Sequence, residues 1–378
     1  MTGEAGVRHA YGIVGDDPTG APHLAARVDD RAVDLRGVPG VPDHVARATT
    51  LDPLLALGRH GWDDVHGAVH EHLAHQPPAV PVDRLAVELP VVPGDYVDFY
   101  ASEHHATNLG RILRPGEEPL PAAWRHLPIG YHGRAGSIVV SGTPITRPVG
   151  LVGPGARRPS ERLDLELELG FVVGTAVPMG QVVAPDDADD HVFGVVLVND
   201  WSARDIQSFE YRPLGPFAGK SFATSIAGWV TPLAALPRCA GVVQDPPPDP
   251  VLRAEGDGAL DLELAWSLNG TPIGRAGTRH LWWTFAQMLC HLTANGAGLR
   301  RGDLFASGTV SGPDPGQEGS LIEAARAGEQ PITLADGSTR TWLEDGDVVE
   351  LTGCWRSADG GGSLAPVTGT IVPAPEVR

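Results

Sequence analysis

The sequence predicts a mainly β (α+β) protein, built from short strands and long loops with few helices. Three observations carry this expectation. The 378 residues include 48 glycines and 35 prolines, a density of turn formers that suits short strands better than a helical bundle. Residues 163–169 alternate strictly between leucine and acidic side chains, the period of a strand. Residues 137–141 and 193–198 are short apolar runs of the kind that fill buried strands.

Taken in order, residues 11–14 and 32–35 read as strands at the front of the chain. Residues 51–72 place apolar side chains at helical spacing, with Asp52-Pro53 as the start. Five prolines between positions 74 and 95 make that stretch an extended connector. The chain is longer than one core usually supports. A boundary near residue 92 therefore divides an N-terminal module, 1–91, from a catalytic domain, 92–378. Positions 185–190 and 244–250 read as turns or loops, and 261–268 partly repeat the alternation. Residues 279–294 predict a helix with Trp282, Phe285, Leu289 and Leu292 on one face, stopped by Asn295-Gly296.

Composition narrows the function. A 42% hydrophobic and 20% charged content is ordinary for a globular chain. No apolar run reaches the length of a membrane-crossing helix, and the N-terminal residues lack the apolar core of a secretory signal. Cys239, Cys290 and Cys354 are scattered without metal or redox spacing. They point to a reducing, cytoplasmic setting, with the thiols acting as small buried apolar groups. A net charge of −19 argues against nucleic acid and anionic membrane as partners. An anionic substrate would need a local basic pocket that opposes this field.

The acidic strand is the first chemical signal. Asp164, Glu166 and Glu168 share the face opposite the leucines, with neighbouring carboxylates ~7 Å apart. Taken alone, this is the pattern of an amphipathic strand with a solvated acidic face. Two further acids change the reading. Asp200 ends the apolar run at 193–198, and Asp98 lies among Tyr96, Phe99 and Tyr100, where a carboxylate is poorly hydrated unless something compensates it. Asp98, Glu166, Glu168 and Asp200 form an all-oxygen set suited to Ca²⁺ or Mg²⁺ and not to zinc or copper. A second signal is Lys220, the one lysine beside 27 arginines. It is the basic position that has not drifted to the broad, permanently charged guanidinium.

Several blocks give the chain a family likeness: DYVDFYASEHHATNLGRILRPG, HLPIGYHGRAGSIVVSGTPITRP, LDLELELGFVVG, VLVNDWSARDIQSFEYRPLGPFAGKSFATS and LRRGDLFASGTVSGPDPGQEGSLIE. In order and spacing they resemble the fumarylacetoacetate hydrolase family in its long, two-domain form. The resemblance implies a small SH3-like N-terminal β-barrel domain, then a β-sandwich roll, assembled as a homodimer. It implies metal-dependent hydrolysis of a carbon–carbon bond in a small 1,3-diketo acid. Fumarylacetoacetate would give fumarate and acetoacetate, the last step of tyrosine and phenylalanine breakdown.

The same resemblance assigns roles. Asp98, Glu166, Glu168 and Asp200 match the metal ligands, with Lys220 and Thr224 as further contacts of a Ca²⁺ or Mg²⁺ site. His105 matches the base that activates water and Glu323 the acid that orients it. Arg204, Gln207 and Lys220 match donors to the leaving enolate. Tyr100, Arg114, Tyr131, Gln207, Tyr211 and Thr309 match substrate contacts. Glu103 departs from the family pattern and adds negative charge close to His105. The element EDGDV at 344–348 reads as structural. Two alternatives stand beside this reading: a related acylpyruvate hydrolase or oxaloacetate-type decarboxylase on the same scaffold, and a non-enzymatic metal-stabilised dimer.

Overall fold

The computed structural model describes residues 9–15, 20–256, 258–357 and 360–376. Strands dominate it, as expected from the turn-rich composition, and most of its helices are short. The front of the chain is an antiparallel meander of His9–Gly15, His23–Val28 and Arg31–Asp34, in register at Tyr11↔Ala26 and Ala26↔Val33. The meander continues into the rest of the molecule. His9–Gly15 pairs with Trp229–Pro232 through Tyr11↔Val230, so the N-terminal strands join one large sheet. The strand order is open, and no pair among the described residues closes the front strands into a barrel.

From Trp229–Pro232 the large sheet runs through Val192–Asp200, Leu167–Val173, Leu304–Ala306, Tyr96–Phe99 and Gly130–His132. Both central strands, Val192–Asp200 and Leu167–Val173, are buried along their whole length. Apolar residues on both faces therefore replace the one-sided alternation of a surface strand. A second sheet joins Thr271–Gly277, Glu263–Leu268, Val348–Ser357 and Val367–Val372, with Ile145–Thr146 parallel to the last. Val192–Asp200 touches Val348–Ser357 and Val367–Val372, so the core lies between the two sheets.

The structure corrects several expectations. The helix expected over 51–72 is broken into Asp52–Leu55 and Gly58–Ala74, because Gly58 takes a φ of +69°. That over 279–294 shrinks to Phe285–Thr293. Thr284 caps it with Gln287 in a reciprocal box, which leaves Trp282 in the preceding turn. Residues 163–169 divide into Leu163–Asp164 and Leu167–Val173, and their acidic face is not solvated: Asp164, Glu166 and Glu168 are all buried. The 74–95 connector contains two short strands, Val80–Pro81 and Ala86–Val87. The turn at 185–190 is a 3-10 helix. Of the cysteines, only Cys290 is buried, and Cys354 is exposed.

Asp347 of the EDGDV element is structural, accepting from Arg340, Asn269 and the Glu344 amide. No helix among the described residues is long and apolar enough to cross a membrane.

Candidate active site and metal centre

Four buried carboxylates converge. Asp98 comes from Tyr96–Phe99, Glu168 from Leu167–Val173 and Asp200 from the end of Val192–Asp200. Glu166 sits in the break before Leu167, bridged to Ser320. Antiparallel pairing sets Leu167 opposite Asn199, and Asn199 fixes Glu166 further by accepting from its amide at 3.2 Å. One oxygen from each acid lies within 4.8 Å of the others, and all four residues are buried.

Burial, and then repulsion from Asp200, holds the Asp98 carboxyl well above the usual range. Burial, with Asp98, Glu166 and Asp200, does the same to Glu168. Glu166 differs. Burial opposes its charge, but Arg204, Lys220 and His105 outweigh burial and hold it below the usual range.

The cluster fits a hard divalent cation. Oδ1 of Asp98 and both oxygens of Glu168 are buried without a hydrogen-bond partner. Buried acceptors in that condition are costly unless a cation or proton meets them. The donor set is entirely oxygen, as Ca²⁺, Mg²⁺ or Mn²⁺ prefer.

Beside the cluster stands His105, two residues into the helix Glu103–Leu113, which Ser102 caps by accepting from the His105 amide. Nδ1 of His105 is 2.6 Å from Oε2 of Glu323, and Nε2 is 3.6 Å from Oε1 of Glu166. Glu323 lies in the short helix Leu321–Ala324. Burial opposes its charge, but His105, with hydrogen bonds from His105, Asn108 and Ser320, keeps it below the ordinary carboxylate range. An acceptor carboxylate on Nδ1 places the ring proton there and turns Nε2 toward the acidic cluster.

Two cations complete the site. The Arg204 guanidinium contacts Asp164 and Glu166, each at 2.7 Å, and donates to Gln207 at 3.0 Å. Lys220 Nζ donates to Glu166 and, at 2.7 Å, to Asp200. Burial disfavours the ammonium, but Asp200 and Glu166 outweigh it, so Lys220 holds its proton more tightly than a free lysine. Tyr131 donates to the same Asp200 oxygen at 2.7 Å, and Thr224 Oγ1 lies 3.4 Å from the other.

A cavity of about 480 Å³ opens onto these groups. Of the residues singled out in the sequence, Asp98, Tyr100, His105, Arg114, Tyr131 and Glu166 line it, as do Glu168, Arg204, Gln207, Tyr211, Lys220 and Thr309. Asp200, Thr224 and Glu323 do not reach the cavity wall and act from behind it. Arg114 donates to the Pro119 carbonyl at 2.7 Å. Glu103 faces away: it lines a different cavity and pairs there with Arg125.

Sequence reasoning missed the supports of Glu323. Asn108, Ser311 and Ser320 donate to it at 2.9, 3.0 and 2.7 Å. Asn108 lies three residues after His105 on the same helix, a spacing that could have flagged it. Asp164 was visible in the acidic run, but nothing local foretold its contacts with Arg204 and with the Leu321 amide. The apolar wall, which includes Leu109, Leu113 and Leu214, carried no chemical signal.

Known proteins resemble the chain in sequence and in fold. The profile described as "Fumarylacetoacetate (FAA) hydrolase C-terminal" matches residues 96–371. Fumarylacetoacetase of Rattus norvegicus is 38% identical over 96% of this chain and 95% of its own length. That of Arabidopsis thaliana is 38% identical over 97% of this chain and 94% of its own. Among solved structures, a fumarylacetoacetate hydrolase from Exiguobacterium antarcticum covers 97% of this chain and 100% of its own, with a TM-score of 0.57 at 18% identity. Maleylpyruvate hydrolase from Sphingobium sp. SYK-6, solved with manganese (II) ion and pyruvate, covers the same shares with a TM-score of 0.55 at 16% identity. At those identities the structures speak for the fold alone, whereas the sequence matches run nearly end to end: the chain belongs to the fumarylacetoacetate hydrolase family.

Proposed function

We propose that the protein hydrolyses the carbon–carbon bond of fumarylacetoacetate to fumarate and acetoacetate, in the breakdown of tyrosine and phenylalanine. One observation carries the reading: an imidazole–carboxylate pair, His105 and Glu323, stands 3.6 Å from a buried four-carboxylate cluster on a substrate-sized cavity. Asp98, Glu166, Glu168 and Asp200 would hold a Ca²⁺ or Mg²⁺ ion, with Lys220 and Thr224 bonded to its ligands. A bound divalent cation supplies Lewis acidity and a template for the two oxygens of a 1,3-diketone.

The protein's own groups then have these roles. His105, oriented by Glu323, takes a proton from water as its oxygen attacks the carbonyl carbon of the fumaryl group. The bond from that carbon to the methylene of the acetoacetate half breaks, and its electron pair passes to the leaving enolate. Arg204, Gln207 and Lys220 receive the developing negative charge from fixed positions. A proton delivered to the methylene carbon from Lys220 completes acetoacetate, and the proton His105 took from water passes back to Lys220 and resets the site. Tyr100, Arg114, Tyr131, Tyr211 and Thr309 receive and orient the substrate.

The same reading extends to the assembly. The N-terminal strands are SH3-like and end near residue 92, the catalytic portion is a β-sandwich roll, and the protein is a cytoplasmic homodimer. The start of the family profile at residue 96 supports the boundary.

The test is a cleavage assay on fumarylacetoacetate, acetylpyruvate and oxaloacetate, using parent and His105→Ala protein with and without EDTA. Fumarylacetoacetate should be the preferred substrate, and either change should slow it by about 100-fold or more. Turnover of oxaloacetate alone would overturn the substrate assignment. A rate insensitive to both changes would overturn the metal–base mechanism.

A further inference from the structure

The helix Arg204–Glu210 opens with a guanidinium that holds Glu166 and closes with a carboxylate that the chemistry above does not use. Glu210 turns back on the chain that follows and accepts three consecutive backbone amides. Phe217 and Gly219 donate to Oε1 at 2.9 and 2.8 Å, and Ala218 donates to Oε2 at 3.0 Å. These amides close segment 211–219, which leaves the helix, borders the cavity with Tyr211, Leu214 and Pro216, and returns at Lys220.

The return is also tied at its far end, where Lys220 Nζ bonds Glu166 and Asp200. Ala203 donates to the Gly219 carbonyl at 2.8 Å, and the Lys220 amide donates to Phe217 at 3.2 Å. Gly219 lies so close to the helix that a Cβ there would stand 2.8 Å from the Gln207 nitrogen. Packing adds little on the outer side, where Leu214 is 95% and Phe217 67% exposed.

We propose that Glu210 is a positioning residue for Lys220: its carboxylate ties the Lys220 end of the segment to the helix that carries Arg204 and Gln207, so that the three donors are held as one set. This rests on the functional reading given above. A donor helps a developing charge only if it stands in place beforehand, and sub-ångström looseness is costly in rate. Hydrogen bonds from three neighbouring amides to one side chain supply that rigidity. The Phe217 and Ala218 amides lie at the surface, where water can replace the carboxylate. Loss of Glu210 therefore loosens the segment without unfolding the protein.

The test compares Glu210→Ala and Glu210→Gln with the parent by kcat and KM on fumarylacetoacetate, amide exchange at 217–219 and thermal melting. In Glu210→Ala, exchange at those amides should rise and kcat should fall about tenfold or more, with KM changing less than about threefold and melting little altered. Glu210→Gln keeps an oxygen for Phe217 and Gly219 and should recover most of kcat. Faster exchange with unchanged kcat would reduce Glu210 to a loop clamp and overturn the proposal, as would a Gln variant as slow as the Ala one. A parent that fails to cleave fumarylacetoacetate would overturn the functional reading first, and this inference with it.

Discussion

His105 and Glu323 lie 218 positions apart in the chain, yet Nδ1 of one is 2.6 Å from Oε2 of the other. Asn108, Ser311 and Ser320 also donate to that carboxylate, so it is held from four directions before any substrate arrives. Its oxygens fix both the tautomer and the plane of the imidazole.

Glu323→Gln tests this arrangement. An amide keeps the volume but offers a donor where Nδ1–H needs an acceptor, which favours the wrong tautomer. We expect kcat to fall by about 10²- to 10⁴-fold while the circular dichroism spectrum and melting stay close to the parent. A variant with parental kcat would remove the orienting role from Glu323.

Cation binding should release protons. Without a cation, Asp98 and Glu168 hold theirs well above the ordinary carboxylate range. Their ionised forms are the ligands, so affinity for Ca²⁺ or Mg²⁺ rises with pH until both carboxyls are ionised in the free protein. Calorimetric titration in buffers of different ionisation enthalpy measures the protons released. Zero release, together with pH-independent affinity, would argue against these two acids as ligands.

Lys220→Arg keeps the charge and changes the shape. The ammonium fits between Glu166 and Asp200, below a tyrosine hydroxyl that shares its Asp200 oxygen. A planar guanidinium cannot occupy the same volume without displacing Tyr131 or one of the acids. The expected result is a loss of about tenfold or more in kcat, read by steady-state kinetics beside a melting curve. Turnover near the parental level would show that charge alone suffices.

A separate histidine cluster, between the first strand and the helix Gly58–Ala74, predicts acid lability. Burial, aided by His66 and His70, holds His9 down to about 2, and burial, aided by His70 and Arg59 against Asp63, holds His66 down to about 4. His9 is 1% exposed, with Nε2 3.0 Å from the Tyr11 hydroxyl. Both histidines fold neutral, so the unfolded chain binds more protons below pH ~6.5. The stability they confer is present above that pH and declines as pH falls toward 4 and below. Melting temperatures of the parent should drop across pH 6.5–4 more steeply than those of His9→Gln. Parallel curves would show that His9 does not contribute.

The site was legible where chemistry is carried by residue type and short spacing. The alternation at 163–169, the acid at the end of an apolar run and the single lysine are local signals. The residues they flagged meet in space, with one oxygen from each of Asp98, Glu166, Glu168 and Asp200 inside 4.8 Å. What local pattern could not convey was depth. The acidic face of 163–169 looks fit for solvent because water and a buried cation pair select the same side chains. Helix ends were misjudged for a similar reason. At Gly58 a positive φ breaks a continuous apolar period, and at Thr284 the capping box starts the helix later than its apolar face suggests. Glu323 meets His105 and Asn108 across more than two hundred positions, which no periodicity encodes.

The pairing of Tyr11 with Val230 has a consequence for biosynthesis. Once made, His9–Gly15 must wait for that neighbour, which is translated more than two hundred codons later. At the usual elongation pace the interval is roughly 10–40 s. Throughout it the backbone at Tyr11 and Gly12 presents an open strand edge, which exposes the nascent chain to mispairing.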